Sequence, residues 1–321
     1  MPGSAVARVR RSQLSPPETE SWPATSFRVL HPNHHMAPVQ ARDRSARAEL
    51  TGCEVTLLFV FFLALAPAAM AASGPHGTVN LINEQSAIQP GRSFRAGLHF
   101  QLEKGWHIYW LNPGDSGEPP KVRWSLPKGF RAGPLEWPAP RRIEDHSLID
   151  YGYEDEVLLP AKIHPPAHLP AGHKAELSVD VTWLVCREIC IPGRATLNLS
   201  VPIRKEAPSK LPANQKLFAK WLAQIPKPAP KEWRLKGTLK GPEFIVEVET
   251  GRREKRATFF PFEPNQIENA AAQNSSPLPR GIRLELQRSD QLQKPPPFLA
   301  GVLVLGPARS YVIKIPVRTS Q

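Results

Sequence analysis

Prolines recur along this chain, and their number limits the folds that it can adopt. There are 37 of them among 321 residues, whereas a proline inside a helix removes a backbone hydrogen bond and clashes with the preceding turn. Within sheets, prolines are confined to strand starts, edges and bulges. Hydrophobic residues make up 41% of the chain, which is enough for packed cores. The composition predicts short strands joined by turns, and the length is typical of about two domains.

The N-terminal segment has the features of an export signal. An apolar run, Val55–Ala66, is too short to cross a bilayer as a helix. The segment Ala69-Met70-Ala71 follows it and fits the small-x-small pattern of signal-peptide cleavage sites. With the Arg-rich residues before it, this run completes a leader that we assign to residues 1–71. Cleavage would start the mature chain at Ala72 or Ser73, and an uncleaved N-terminal anchor is the alternative.

Short runs of alternating polarity, separated by turn residues, fill the next part of the chain. Strands of this length and spacing are typical of an antiparallel β-sandwich. The runs predict six strands: Ser93–Leu102, Trp106–Leu111, Val122–Leu126, Val157–Ile163, Ala175–Val185 and Ala195–Val201.

A proline-rich break at residues 207–230 interrupts this pattern. Within it, apolar residues of Asn214–Ile225 recur at helical spacing and predict a short helix that packs on a domain. The strand pattern then resumes in five runs: Phe244–Val248, Thr258–Phe262, Ile282–Leu286, Gly301–Leu305 and Tyr311–Val317. The sequence thus predicts an all-β chain with two antiparallel β-sandwich domains, 72–206 and 231–321, joined by a proline-rich linker with a short helix.

Cys186 and Cys190 are the only cysteines after the leader. In an extended strand, residues four apart lie roughly 13 Å apart at about 3.3 Å per residue, but a disulfide needs Cα atoms roughly 4.4–6.8 Å apart. A disulfide between them therefore requires a turn. Closing so short a loop removes little chain entropy, which favours a redox-active pair over a structural staple. A structural disulfide and metal ligation stay open as alternatives.

Charge and histidine content test two further classes of function. The net charge of +12 is dispersed among acids and prolines, without a basic stripe carrying aromatic residues, so nucleic acid is not an expected partner. Cysteines and histidines can bind copper(I), and a copper-handling module is a second alternative. However, no His-x-His or Met-rich motif lies beside the cysteines, and we predict neither a metal nor a cofactor. The histidines concerned are His99, His107, His146, His164, His168 and His173.

Three segments together resemble a known family. Gly105–Trp110, Asp150–Tyr153 and Trp183–Pro192 are similar to the periplasmic N-terminal domain of the DsbD thiol:disulfide interchange proteins. The cysteine spacing resembles that of the ScsB-like branch, and the similarity continues into the second domain at Phe259–Pro261 and Ile267–Ala271. This resemblance covers roughly residues 76–318 and implies immunoglobulin-like sandwiches in the periplasm.

The resemblance also implies a mechanism. In the family, a membrane electron-transfer module reduces the cysteine pair, which then reduces disulfides in periplasmic partners such as thioredoxin-like or disulfide isomerase proteins. Family members continue into a membrane domain and a thioredoxin-like domain, neither of which precedes Gln321 here. We therefore expect a separate membrane electron-transfer protein to supply electrons, and we expect Cys190 to be the attacking cysteine.

In the family, aromatic and acidic side chains from neighbouring loops shield the cysteine pair. Tyr109 falls at one aromatic position, and His107 stands where better-known members have another tyrosine. A cap loop is expected at residues 145–150, where Ile149 or Tyr151 would provide cover and two acids would accept protons. The candidates for shielding or proton transfer are Tyr109, His107, Asp145, Ile149, Asp150 and Tyr151.

Overall fold

The computed structural model describes residues 72–145 and 147–319. The predicted leader and its cleavage site therefore lie outside the described residues. So do His146 and the side chain of Asp145. The described part of the chain contains no helix with the length and apolarity that a membrane crossing requires.

Strands dominate the described residues, so the predicted all-β class is confirmed. The elements in chain order are β1 (Ala72–Gly74), β2 (Gly77–Asn83), β3 (Phe94–Leu102), β4 (His107–Gly114), β5 (Lys121–Ser125), β6 (Arg131–Leu135), β7 (Arg141–Asp145), β8 (Leu148–Glu154), β9 (Glu156–His164), β10 (Lys174–Cys186), β11 (Cys190–Pro202), α1 (Pro212–Leu222), β12 (Lys227–Pro228), β13 (Arg234–Lys240), β14 (Glu243–Glu249), β15 (Thr258–Pro261), β16 (Asn274–Leu278), β17 (Gly281–Gln287), β18 (Phe298–Val304) and β19 (Ser310–Thr319).

The first domain is a sandwich of two sheets. One has the strand order β1-β2-β3-β9-β6, and the other has the order β11-β10-β4-β8-β7, with β5 paired to β10 beside β4. Alternate residues of β10 are buried from Ala175 to Val185, because successive side chains of a strand point to opposite faces. These residues belong to the same buried cluster as Leu98 and Phe100 of β3 and Leu159 of β9.

The second domain has its own core, and β19 runs through both of its layers. Residues 310–316 of β19 pair with β18, whereas residues 317–319 pair in parallel with β13. Buried side chains of the two layers meet between them, including Val246 of β14, Leu284 of β17 and Ile315 of β19. The predicted second strand-rich region is therefore a packed sandwich in its own right.

Helix α1 packs on the first sandwich. Proline occupies the start of the helix, where its missing N–H costs nothing. Phe218 is fully buried and Trp221 nearly so, and both join the core cluster of the first domain. The predicted helix is confirmed, although it ends at Leu222. The domain boundaries at residues 206 and 231 stay a prediction.

The two sandwiches meet through aromatic side chains. Phe260 of β15 packs edge-on against Tyr151 of β8 and Trp110 of β4, with ring centroids 5.1 and 6.2 Å apart. Phe260 and Val302 are buried in the cluster that forms the first domain's core. The second domain therefore presses directly against the back of β4 and β8.

Candidate redox site at the cysteine hairpin

The two cysteines close the tip of a long β-hairpin. Strands β10 and β11 pair continuously from Lys174 and Pro202 at the base to Cys186 and Cys190 at the tip. Three residues connect the strands, and a disulfide joins the cysteines, whose Cα atoms are 4.2 Å apart. The predicted turn is confirmed, and the pairing beneath it makes the tip a rigid platform.

The two sulfurs differ in their environment. Cys186 is 1% exposed, because it ends β10, which is covered by β11 on one side and β4 on the other. Cys190 is exposed, since it begins the outermost strand of the sheet. Ile189 beside it is 64% exposed. A thiolate from another protein can therefore reach Cys190 but not Cys186.

His107 lies opposite the buried cysteine. It pairs with Cys186 across β4 and β10, and directly opposed residues of antiparallel strands have Cβ atoms roughly 4.5–5.5 Å apart on one face. Its Nε2 lies 3.5 Å from Asp150 Oδ2, an ion-pair distance too long for a good hydrogen bond. Accordingly, Nε2 has no hydrogen-bond partner among the described residues. The site thus contains a buried imidazole beside a carboxylate.

Tyr109 touches the exposed cysteine. Its hydroxyl lies 3.4 Å from Cys190 Sγ, 3.2 Å from Ser116 Oγ and 3.4 Å from Asp150 Oδ2. Gly117 lies over its ring, where an added Cβ would fall 2.0 Å from a ring carbon. Glycine is also required there by a φ of +75°, which side chains disfavour. The packed ring holds the hydroxyl against the sulfur.

Asp150 is a fully buried acid. Its carboxylate accepts hydrogen bonds of 3.0 Å from the backbone N–H and the hydroxyl of Ser116. A buried carboxylate is costly without such partners. Of the residues in this network, sequence reasoning missed Ser116. Its only signal was a turn-forming run, Asn112–Gly117, which indicates a turn but no chemistry.

The region expected to be a cap loop is a β-hairpin of β7 and β8. Asp150 of this hairpin faces Tyr109, whereas its neighbours Ile149 and Tyr151 point to the opposite face. Ile149 is 7% exposed, and Tyr151 donates to Asn269 of the second domain at 2.7 Å. Burial raises the pKa of Tyr151 well above its usual value. Asp145 ends β7, and its side chain is outside the described residues.

An aromatic stack supports the other side of the hairpin loop. His76 lies flat on Trp106, with ring centroids 3.6 Å apart and planes 6° from parallel. The guanidinium of Arg187, in the loop between the cysteines, is 5.2 Å from the same indole ring. Sequence reasoning missed His76 and Trp106 as neighbours of the site. At least 110 positions separate His76 from the hairpin loop, and at least 80 separate Trp106 from it.

An open cavity of about 330 Å³ lies on the flank of the hairpin. Trp183, Leu184, Pro192 and Gly193 line it, together with one acidic residue and two basic ones: Glu118, Lys121 and Arg194. Gly193 is necessary because a Cβ there would lie 2.3 Å from the Trp183 indole. Among the described residues, no three His, Cys, Asp or Glu side chains come together as a metal site would require.

Comparison with protein families decides what kind of domain holds this site. Residues 78–202 match the family described as thiol:disulfide interchange protein DsbD, N-terminal. Those residues form a DsbD N-terminal-type domain. The match spans both cysteines and every site residue described above except His76 and Asn269. The predicted family resemblance is confirmed.

Comparison with solved structures confirms the fold. The N-terminal periplasmic domain of ScsB from Proteus mirabilis aligns with a TM-score of 0.58 at 15% identity, covering 78% of this chain and 98% of that one. Two weaker alignments have TM-scores of 0.20 and carry no argument. They are the periplasmic chaperone SfaE (9% identity, 75% of this chain, 100% of that one) and domains 5–6 of the S-layer protein SbsC (7%, 79% and 100%). No curated protein matches the sequence significantly.

A DsbD N-terminal-type domain with a disulfide at an exposed tip supports a thiol–disulfide exchange module in general. The immunoglobulin-like, all-β architecture expected from the sequence is the one observed.

Proposed function

We propose that this chain passes reducing equivalents through Cys186 and Cys190 to disulfides of partner proteins in the periplasm. The observation that carries the proposal is the unequal exposure of the two sulfurs at the tip of a paired hairpin. Exchange chemistry needs an accessible sulfur and an unobstructed line of attack. A purely structural disulfide gains nothing from an exposed cysteine beside an ordered tyrosine hydroxyl.

The exchange moves two electrons to the partner, and the two protons that the cysteine thiols lose are matched by two that the partner's thiolates take up from water. In the reduced pair, the Cys190 thiolate attacks one partner sulfur; a mixed disulfide forms and the partner's disulfide breaks. The released partner thiolate takes a proton from water. The Cys186 thiolate then attacks Cys190 Sγ, which restores the intramolecular disulfide and releases the second partner sulfur as a thiolate, and water protonates it as well. Afterwards, a donor dithiol protein reduces the pair again by the reverse steps.

Three buried side chains handle the protons of the pair in this proposal. The Tyr109 hydroxyl lies 3.4 Å from both Cys190 Sγ and Asp150 Oδ2, so it relays a proton from the sulfur to the carboxylate. Asp150, 3.4 Å from that hydroxyl, accepts the proton that Cys190 loses. His107, opposite Cys186, accepts the proton of the buried thiol before it resolves the mixed disulfide. The proximity of these groups to the cysteines supports a role for them in general acid–base catalysis.

The expected partners follow from the resemblance and from the surface. Thioredoxin-like or disulfide isomerase proteins would receive electrons, and a separate membrane electron-transfer protein would supply them. The exposed side chain of Ile189 and the cavity beside Trp183 offer an apolar contact next to Cys190. Contact of this kind holds a partner while the sulfurs react.

Trapping tests the exchange function. Cys186→Ala removes the resolving thiol, so Cys190 should accumulate a mixed disulfide with a periplasmic protein. Cys190→Ala is the matched control, because the remaining thiol is buried and should trap little. Non-reducing electrophoresis with mass spectrometry identifies the adduct. If neither variant traps a protein, the pair is a staple and the proposal fails.

The redox potential of the pair separates exchange from stapling independently of any partner. Structural disulfides lie below about −300 mV, and exchange-active ones are higher. Equilibration of the protein with dithiothreitol buffers should give a potential above that limit. A lower value would favour a structural bond.

A further inference from the structure

The second sandwich reaches into the redox site through one amide. Asn269, between β15 and β16, is 6% exposed although it is polar. Its Nδ2 donates to Asp115 Oδ1 at 2.8 Å, and its Oδ1 accepts from the Tyr151 hydroxyl at 2.7 Å. Both partners belong to the first domain. The amide therefore donates one hydrogen bond to the first domain and accepts another from it.

Asp115 belongs to the segment that packs on Tyr109, from the end of β4 onward, which we call the cover loop (residues 112–117). Its backbone N–H donates to Ile149 O at 3.0 Å, and its Oδ2 accepts from Ile149 N at 2.8 Å. Asp115 is thus fixed between the second sandwich and the start of β8. Because Ser116 follows directly, its position is fixed as well.

From Ser116 the network continues to the exposed sulfur. Ser116 donates to Asp150 at 3.0 Å and lies 3.2 Å from the Tyr109 hydroxyl, which in turn is 3.4 Å from Cys190 Sγ. The chain of contacts from Asn269 to the sulfur contains no gap longer than 3.4 Å. A hydrogen-bond network that includes the buried side chains of Asn269, Tyr109 and Asp150 restricts its members to one arrangement.

We propose that Asn269 is a positioning residue of the redox site, so that the second sandwich sets how tightly Tyr109 and the cover loop shield Cys190. A second tie supports the same assignment, since Asn112 Nδ2 donates to Pro261 O of the second sandwich at 2.8 Å. The cover loop is therefore anchored to the second domain at two points. This inference rests on the proposed function only for its biological meaning, because shielding of the thiol can be measured without any partner.

The chemistry of the site explains why the residue is an asparagine. Asp115 needs a donor and the Tyr151 hydroxyl needs an acceptor, and a single amide provides both. An aspartate at 269 would keep the acceptor but place a second carboxylate against Asp115. An alanine would lose both hydrogen bonds and leave the buried Tyr151 hydroxyl without its acceptor.

Alkylation of the reduced full chain tests the inference. Iodoacetamide labelling at Cys190, resolved by peptide mass spectrometry, is compared between the native sequence and Asn269→Ala. We expect the variant to react about fivefold to tenfold faster, because a loosened cover loop lets Tyr109 move away from the side of the exposed sulfur that it covers. Arg142→Ala is the matched control, since Arg142 also bonds across the interface, to Ala271 O at 3.5 Å, without touching the cover loop. It should react like the native protein.

A double-mutant cycle separates positioning from general loosening. If Asn269 acts through Asp115, then Asn269→Ala combined with Asp115→Ala should label no faster than the faster single variant, because coupled residues are not additive. Additive rate increases, or equal increases in the Arg142→Ala control, would overturn the inference. The redox potential should shift with the labelling rate in Asn269→Ala and stay unchanged in the control.

Asn269→Asp decides the question if Asn269→Ala folds poorly. This variant keeps the volume and the acceptor for Tyr151 and loses only the donor to Asp115, so it should still label faster than the native protein. A native labelling rate in folded Asn269→Asp would overturn the inference even if Cys186→Ala traps a partner. Conversely, a fast-labelling Asn269→Asp in a chain that traps no partner leaves the positioning role intact and refutes only the exchange function.

Discussion

At the residue scale, the disulfide contributes chemistry more than stability. It closes a loop of five residues, and the chain-entropy relation gives about 2 kcal/mol for so short a loop. Replacing Cys186 and Cys190 together by alanine should therefore lower the free energy of unfolding by no more than about 2 kcal/mol. Urea denaturation followed by circular dichroism measures the change. Loss of the folded state would show instead that the bond is a staple.

Asp150 allows a sharper test of proton handling. Asp150→Asn keeps the shape and the Ser116 contacts but cannot accept a proton. General acid–base groups typically contribute 10²–10⁴-fold, so the rate of exchange with a small disulfide at neutral pH should fall about 100-fold. Stopped-flow mixing measures that rate. The control is Asp180→Asn on the same sheet, whose carboxylate binds Arg123 and Thr196; equal losses in both variants would refute the role.

The site residues differ in how well sequence could predict them. Cys186, Cys190 and Tyr109 stand in recognisable motifs, and the structure brings them together. Ser116 stands in no motif, and the family-like segment Ile267–Ala271 gave no sign of the role of Asn269, because their roles come from partners 34 and 154 positions away in the chain. Contacts of such long range leave no local pattern for a reader of one sequence.

At the element scale, the cover loop depends on a glycine. Gly117→Ala would place a Cβ 2.0 Å from the Tyr109 ring at a φ of +75°, so either the ring or the loop must move. We expect the variant to fold with reduced thermal stability and to lose the Tyr109 contact with Cys190. Faster alkylation of reduced Cys190 is the measurement. Gly172→Ala, at a φ of +84° with open space around it, controls for backbone strain alone.

A second element-scale prediction concerns acid stability of the second sandwich. Hydrogen bonds from Arg309, followed by those from Arg252 and Thr250, outweigh burial and lower the pKa of Glu254 to about 2. A depressed carboxyl pKa stabilises the fold above the unfolded value of about 4.3. That stabilisation is lost as the pH falls towards 2.

Glu254→Gln should therefore lower the unfolding temperature at pH 7 and have little effect near pH 2. At pH 7 the free energy of unfolding should fall by roughly 1–3 kcal/mol, which is the cost of leaving a buried hydrogen-bonding partner unsatisfied. Calorimetry at both pH values measures it. An equal loss at the two pH values would contradict an ionic origin.

Alternation of buried and accessible residues marks some strands, such as β10 and β14, which were predicted from the sequence. It does not decide every case, since β9 was predicted although its residues 157–161 are all buried, and β2 alternates but was not predicted. Strand β8 was not predicted; its residues 149–153 are all buried, and a strand buried on both faces lacks alternation. The same strand carries Asp150, which is why the site was expected on a loop rather than on a rigid element.

At the scale of the whole molecule, cutting the chain between the two domains need not separate them. The sequence predicts that limited proteolysis cuts between Ala207 and Lys231 and leaves two β-rich fragments. Because Phe260 and Val302 are buried against the first domain, we expect the fragments to stay together. Gel filtration after digestion checks this. Two separate peaks in native buffer would contradict the interface.

The burial of Cys186 has a consequence for the order of events in turnover. Only one of the two sulfurs, Cys190 Sγ, is accessible to other proteins. In the proposed exchange, donor and acceptor proteins must therefore react with the same atom. Two proteins cannot be attached to one sulfur at once. In the proposed exchange, the chain must therefore release one protein before it reacts with the next, so it would alternate between donor and acceptor without joining the two.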